Sequence, residues 1–230
     1  MKKERQKQRK QEQWKIKHKE EEKKKGEAET GVLTIDTDFS EYSCSGSSIR
    51  TITVWDNDHT VQALVNAENI SIIPGYGLIL SQCQSLVVEI AMLLRKKGKN
   101  VRFGIHPSAG WKPGELDEIF TGAGLLYDVV QDIDELNEDF AYTDIPLVIG
   151  ANDIVNPAAE DNPNLFCAGK PVLKVWKSSQ TVMMNRTLDA GSARVDNSIF
   201  YFKNNAMLFG NAKESCDGIL KGLNKYFEIE

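Results

Sequence analysis

The chain is poor in metal-binding residues. Its four cysteines, Cys44, Cys83, Cys167 and Cys216, stand far apart with no CxxC pair, and its three histidines are dispersed as well. No zinc-ligand spacing can be written from them, so no metal site is expected. Free thiols in a reducing compartment are the simplest reading of the cysteines. Long hydrophobic runs are also missing: no apolar stretch approaches the roughly 18 residues that a membrane-spanning helix needs. The amino terminus lacks an apolar signal-peptide core and carries too many glutamates for a typical organelle transit peptide. With 7 prolines and 17 glycines the composition is neither collagen-like nor wholly disordered. Basic residues are scarce outside one segment. Residues 1–25 hold 12 Lys/Arg against 5 Asp/Glu, whereas the remainder holds 16 against 28. The body of the chain is therefore acidic, which argues against a nucleic-acid partner. The Lys/Glu/Gln-rich tail, residues 1–30, reads as a solvated extension or as a patch for anionic lipid or nucleic acid.

What is present is an α/β alternation. The 230 residues, 41% of them hydrophobic, suffice for one sizeable core plus tails. Residues 31–56 are polar and Ser/Thr-rich and read as a linker with one short strand at Gly31 to Ile35, so that the folded domain spans 57–230. Asp58 can cap a helix whose Val61, Leu64 and Val65 fall at i, i+3, i+4. Asn69 to Pro74 is a buried strand, and Gly75-Tyr76-Gly77 turns into a helix with an apolar stripe at Leu80, Cys83, Val87, Ile90, Ala91 and Leu94, stopped by Gly98. Val101 to Ile105 is the next strand, followed by a helix from Pro113 to about Ala123. Further strands are expected at Tyr127 to Val130, Ile145 to Gly150, Val172 to Trp176, Thr181 to Asn185 and Ile199 to Phe202. Helices are expected at Ile133 to Phe140 and from Ala212, the latter with Cys216, Ile219, Leu220, Leu223 and Phe227 inward. Strand alternating with helix implies an open, mostly parallel, Rossmann-like sheet with helices on both faces.

Two loops could carry chemistry. Gly75-Tyr76-Gly77 follows a strand and opens a helix, so its first glycine would permit the tight turn and its second a close approach of backbone to a pyrophosphate. The third fingerprint position is Leu80, so the pattern is incomplete, and a GxG turn can also exist for packing alone. No carboxylate ends the second strand, where Gly104-Ile105-His106-Pro107 stands. That disfavours the usual ribose contact of NAD. His106 itself could be a loop residue with a satisfied hydrogen bond. The second loop, Gly150 to Ala159, could hydrogen-bond a carboxamide or ribose, or serve as a turn and helix cap through Asn156-Pro157.

These blocks, with Val101-Arg102-Phe103, Tyr127 to Val130, Val148 to Ala159, Gly169 to Leu173, Val175-Trp176-Lys177 and Val195-Asp196-Asn197, resemble the third domain of proton-translocating nicotinamide nucleotide transhydrogenase. The resemblance implies a domain that binds NADP(H) in reversed orientation. Gly75, Tyr76, Gly77, Gly150, Ala151, Asn152 and Asp153 would lie beside the pyrophosphate and nicotinamide half. His106, Pro107, Ala109 and Gly110 belong to the same expected site, as do Gly191, Ser192, Asp196 and Asn197, and Arg186 and Thr187 would receive the 2′-phosphate. Asn152 and Asp153 would be the catalytic residues beside the reacting nicotinamide, with Asp153 biasing the redox state of the nucleotide or the local polarity and not acting as a nucleophile. Hydride would pass to or from NAD(H) on a partner domain, and a membrane domain would couple the exchange to proton movement. By the same resemblance the complex is dimeric and sits on the soluble face of a mitochondrial or bacterial inner membrane.

The departures from the family pattern suggest an alternative, a module that binds or senses NADP(H) without transferring hydride. The family's Lys-Arg-Ser is Asn185-Arg186-Thr187 here, its Gly-Tyr-Ala lid is Gly191-Ser192-Ala193, and an arginine is replaced by Trp111. Arg194 is an added charge that either replaces the lost lysine or points to water.

Overall fold

A computed structural model of the chain describes residues 32–35, 50–109, 129–161, 169–191 and 194–228. The expected helix at 113–123 and the first residues of the expected strand at 127–130 lie outside them. The elements are β1 (Val32–Ile35), β2 (Arg50–Val54), α1 (Asn57–Asn66), β3 (Asn69–Pro74), α2 (Tyr76–Ser81), α3 (Gln84–Lys96), β4 (Asn100–Gly104), β5 (Val130–Gln131), α4 (Ile133–Asp139), β6 (Ile145–Ile149), α5 (Ala158–Asp161), β7 (Thr181–Asn185), β8 (Asn205–Phe209) and α6 (Ala212–Glu228).

The eight strands among the described residues form one sheet in the order β1-β2-β8-β7-β6-β3-β4-β5. β2 to β8 run parallel and β1 adds antiparallel to β2 at one edge. Counted from β3, the six strands β5-β4-β3-β6-β7-β8 have the order 3-2-1-4-5-6 of a doubly wound dinucleotide-binding sheet. The fold is an open Rossmann-like α/β sheet.

The strand sequences show why both faces are covered. Successive residues point to opposite sides. On β3, β6 and β7, Ile70, Ile72, Ile145, Leu147, Ile149, Val182 and Met184 enter one core, with α1, α3 and α6. Their neighbours Ile73, Val148 and Met183 enter the other, with Leu136 and Phe140 at α4 and with Ile199 and Phe200. Full burial of each such aliphatic side chain is worth roughly 1.5–3 kcal/mol relative to exposure. On α6 the predicted inward set holds: Cys216, Ile219 and Leu223 are fully buried, Phe227 nearly so, and Leu220 packs at the margin.

Several expectations are corrected. β2 lies within the stretch read as linker: Thr53 and Val54 pair with Ala206 and Met207 of β8, so order begins before Asp58. The cap of α1 is Asp56, whose Oδ1 accepts the His59 N–H at 2.9 Å, while Asp58 sits inside the first turn. The expected single helix after Gly77 is two, broken at Gln82 in the left-handed region (φ 51°). The break rotates the stripe, so Leu78 is buried and Leu80 is 64% exposed. Residues 172–176 form no strand, because their backbone bonds go elsewhere. The Val172 carbonyl accepts from Asn137 Nδ2, the Lys174 N–H donates to Asn137 Oδ1, and the Leu173 N–H donates to the Ile154 carbonyl. Residues 198–201 form a 3-10 turn capped by Asn197, and the strand comes later, as β8.

Candidate functional site

The loops that leave the carboxyl ends of β3, β4, β6, β7 and β8 surround a cleft of about 460 Å³. Its walls are Gly75, Tyr76, Gly77, Leu80 and Ser81 after β3, Ser108 and Ala109 after β4, and Gly150 to Ile154 after β6. Asn185 to Thr187, Asp189, Ala190 and Gly191 follow β7, and Gly210 and Ala212 follow β8. β3 and β6 are neighbours whose onward connections leave in opposite directions. The cleft therefore lies at the topological switch point, where open α/β sheets bind ligands.

One end of the cleft is a backbone seam. The Gly75 N–H donates to the Ile149 carbonyl at 2.9 Å, and the Gly77 N–H to the Gly150 carbonyl at 2.8 Å. Gly150 is in the left-handed region (φ 62°), and a Cβ on Gly77 would stand 2.7 Å from the Gly150 Cα. A Cβ on Gly75 would meet the Ala151 Cβ and the Gly150 carbonyl at 2.5 Å. The glycines are thus demanded by each other, since two backbones touch where side chains would keep them apart.

The middle of the cleft is held by amides. Asn152 Nδ2 donates to the Asp189 carbonyl at 2.9 Å. Buried Asn197 donates through Nδ2 to the carbonyl and the side-chain Oδ1 of Asn152, at 3.1 and 2.9 Å. The Asn152 carboxamide thereby bridges the β6 and β7 loops. Asp153, half-buried beside it, opens a 3-10 turn, and its carboxylate lies where a Cβ on Gly191 would be.

The far end is exposed and polar. Arg186 and Thr187 follow β7 directly, and Asn185 Nδ2 donates to the Ala151 carbonyl at 3.3 Å. Thr187 Oγ1 donates to Asp189 Oδ2 at 2.7 Å. Arg194, exposed and left-handed (φ 54°), lies outside the cleft wall.

Of the expected residues, Gly75, Tyr76, Gly77, Ala109, Gly150, Ala151, Asn152, Asp153, Arg186, Thr187 and Gly191 share this cleft. Asn197 stands behind it as the support of Asn152. Pro107 is exposed outside the wall, and Asp196 pairs with Arg50 at 3.0 Å. His106 is 2% exposed. Its Nδ1 accepts the Ser108 N–H at 3.0 Å while Nε2 faces the Pro171 carbonyl at 2.7 Å, an arrangement suited to the neutral ring with its proton on Nε2. Burial lowers its pKa below the ordinary 6.5, and the Pro171 carbonyl opposes that shift. Gly110 and Ser192 lie outside the described residues. Sequence reasoning missed Asp189, Ser81, Ser108 and Gly210. For Asp189 the signal was present, an acidic residue two positions after Thr187.

A model of the family described as NAD(P) transhydrogenase beta subunit matches residues 30–222. The chain belongs to the NAD(P) transhydrogenase beta subunit family. It is 38% identical over 159 residues to NAD(P) transhydrogenase subunit beta of Rhodospirillum rubrum, a match covering 69% of this chain and 34% of that protein. A second Rhodospirillum rubrum sequence of the same description matches with the same figures. The chain spans about a third of the length of the curated relatives it matches. A solved structure, a proposed thiamin diphosphate-dependent enzyme from Mycobacterium smegmatis, is similar at a TM-score of 0.46 and 10% identity, covering 80% of this chain and 31% of that one. Every cleft loop of this transhydrogenase beta-subunit homologue falls within the family match. No helix among the described residues is long and apolar enough to cross a membrane.

Proposed function

We propose that this chain is the NADP(H)-binding component of a nicotinamide nucleotide transhydrogenase. In this reading it exchanges hydride with NAD(H) on a partner domain, within a dimeric complex whose membrane domain couples the exchange to proton translocation. The observation that carries the reading is the cleft at the switch point of the sheet, glycine-floored at one end and lined by Arg186 at the other. Its volume lies within the roughly 300–1,000 Å³ usual for small-molecule and cofactor sites. The donor set suits a 2′-phosphorylated nucleotide: a guanidinium fork, a hydroxyl and no acid at the end of β4.

When bound, the nicotinamide supplies the hydride chemistry, so the protein needs no nucleophile and contributes position and electrostatics. Asn152, pinned by Asn197 and by the Asp189 carbonyl, fixes the β6 loop against the β7 loop. Asp153 sets the local polarity there. Calorimetry on the full chain is expected to show NADP(H) binding roughly ten- to a hundredfold tighter than NAD(H), the worth of one Arg–phosphate contact. Equal affinities would overturn the assignment.

The second reading, a binding module without turnover, is favoured by the engagement of Thr187 with Asp189. Tight NADP(H) binding with no exchange in the presence of an NAD(H)-binding partner domain would select it.

A further inference from the structure

The β7 loop holds more than a pair matched to phosphate. Asp189 lines the same cleft as Arg186 and Thr187. Its Oδ2 accepts the Thr187 hydroxyl at 2.7 Å, and its N–H donates back to Thr187 Oγ1 at 3.3 Å. A hydroxyl has one proton, so while Asp189 holds it a ligand anion cannot. The Asp189 carbonyl is in turn held by Asn152 Nδ2 at 2.9 Å, which ties this residue's backbone to the β6 loop. The carboxylate is therefore stationed at the cleft wall. Among the described residues that line the cleft, the charged ones are Asp153, Arg186 and Asp189, two carboxylates to one cation.

We propose that Asp189 is a specificity-determining residue, a carboxylate that lowers the cleft's preference for a 2′-phosphate over a 2′-hydroxyl. It does so in two ways. It withdraws the Thr187 proton from the phosphate, and it places like charge beside a dianion. A ribose hydroxyl, by contrast, can donate to Asp189, so a nucleotide without the 2′-phosphate gains what the phosphorylated one loses. This inference rests on the reading that the Arg186 loop receives the 2′-phosphate. It assigns to this chain a weaker discrimination than Arg186 and Thr187 would give alone.

The test is calorimetric titration of the full chain and its variants with adenosine 2′,5′-bisphosphate and with 5′-AMP, which differ only in the 2′-phosphate. Asp189→Asn is expected to raise the ratio of the two affinities about tenfold, mainly by tightening the bisphosphate. Asp189→Ala, which frees the Thr187 hydroxyl outright, should move the ratio the same way. Melting temperatures within a few degrees of the parent confirm that the variants are folded, because the Asn152 bond is to the backbone and survives both. The two possible failures are distinguishable. A ratio unmoved or lowered by both Asp189 variants, while Arg186→Ala still weakens the bisphosphate, overturns the role of Asp189 alone. A ratio unmoved by Arg186→Ala as well overturns the phosphate site and this proposal with it.

Discussion

The two ends of the cleft are built by opposite means. At the β3–β6 end two backbones touch, with Gly75 and Gly77 laced to Ile149 and Gly150 by hydrogen bonds and no side chain between them. At the β7 end exposed side chains line the cleft, with Thr187 bonded to Asp189 and Arg186 beside them, and the Asp189 carbonyl is held by Asn152. The first end is a steric solution and tolerates no added atoms. The second is an electrostatic one, in which atoms can be exchanged without disturbing the sheet. Stability should therefore reside at one end and selectivity at the other.

Gly77→Ala is the sharpest way to break this contrast. Its methyl would stand 2.7 Å from the Gly150 Cα, so the seam must open, at an expected cost of about 2–4 kcal/mol in chemical denaturation. Arg186→Ala, at the other end, should leave the denaturation midpoint within about 0.5 kcal/mol of the parent. Equal losses from the two substitutions would erase the distinction.

A smaller effect is expected at His106, buried behind the β4 loop that lines the cleft through Ser108 and Ala109. Its pKa is lowered in the folded state by burial, so the folded protein resists a proton that the unfolded chain takes up at the ordinary 6.5. Its contribution is whole above that pH and is lost as pH falls through 6.5 toward the folded value. His106→Gln should flatten the decline of melting temperature over that acidic window. An unchanged slope would show that other groups govern it.

The smallest effect is expected at Arg194, outside the cleft wall and beyond either end. Arg194 has φ 54°, a conformation costing a non-glycine residue about 1 kcal/mol or more. Arg194→Gly should raise stability by less than about 1 kcal/mol, since glycine also gains freedom in the unfolded chain. A measured loss would mean that the arginine side chain makes a stabilising contact.

Much of the fold was legible because the central strands carry it in their composition. Ile70 to Ile73, interrupted by the buried Ser71, and Leu147 to Ile149 are short, mainly apolar runs, as a strand buried on both faces has to be. β2 was hidden because Arg50-Thr51-Ile52-Thr53-Val54 buries only Ile52, leaving an alternation that looks like a polar linker. The runs Ile199 to Phe202 and Ala206 to Phe209 are equally apolar, and periodicity cannot rank two such short stretches. What separates them is the buried side chain of Asn197, whose Oδ1 bonds the Ile199 N–H and winds the first into a 3-10 turn. The glycine turns were visible as a motif, but their reason was not. A sequence shows that Gly75, Gly77 and Gly150 are small, and only the fold shows that they are small for one another. Asn152 was legible as polar and loop-borne, while its clamp from Asn197 required knowing that residues 45 positions apart meet.

The outer edge of the sheet has a mechanical consequence. β1 joins β2 antiparallel, whereas β2 joins β8 parallel, with the Trp55 N–H adding a bond to the Met207 carbonyl beyond the strand. Tension entering from the amino-terminal side would meet the antiparallel pair first and open it one rung at a time, from Val32 opposite Thr53 toward Ile35 opposite Arg50. β1 can thus peel from β2 without breaking the parallel pairing of β2 with β8, the strand that feeds the Gly210 loop into the cleft.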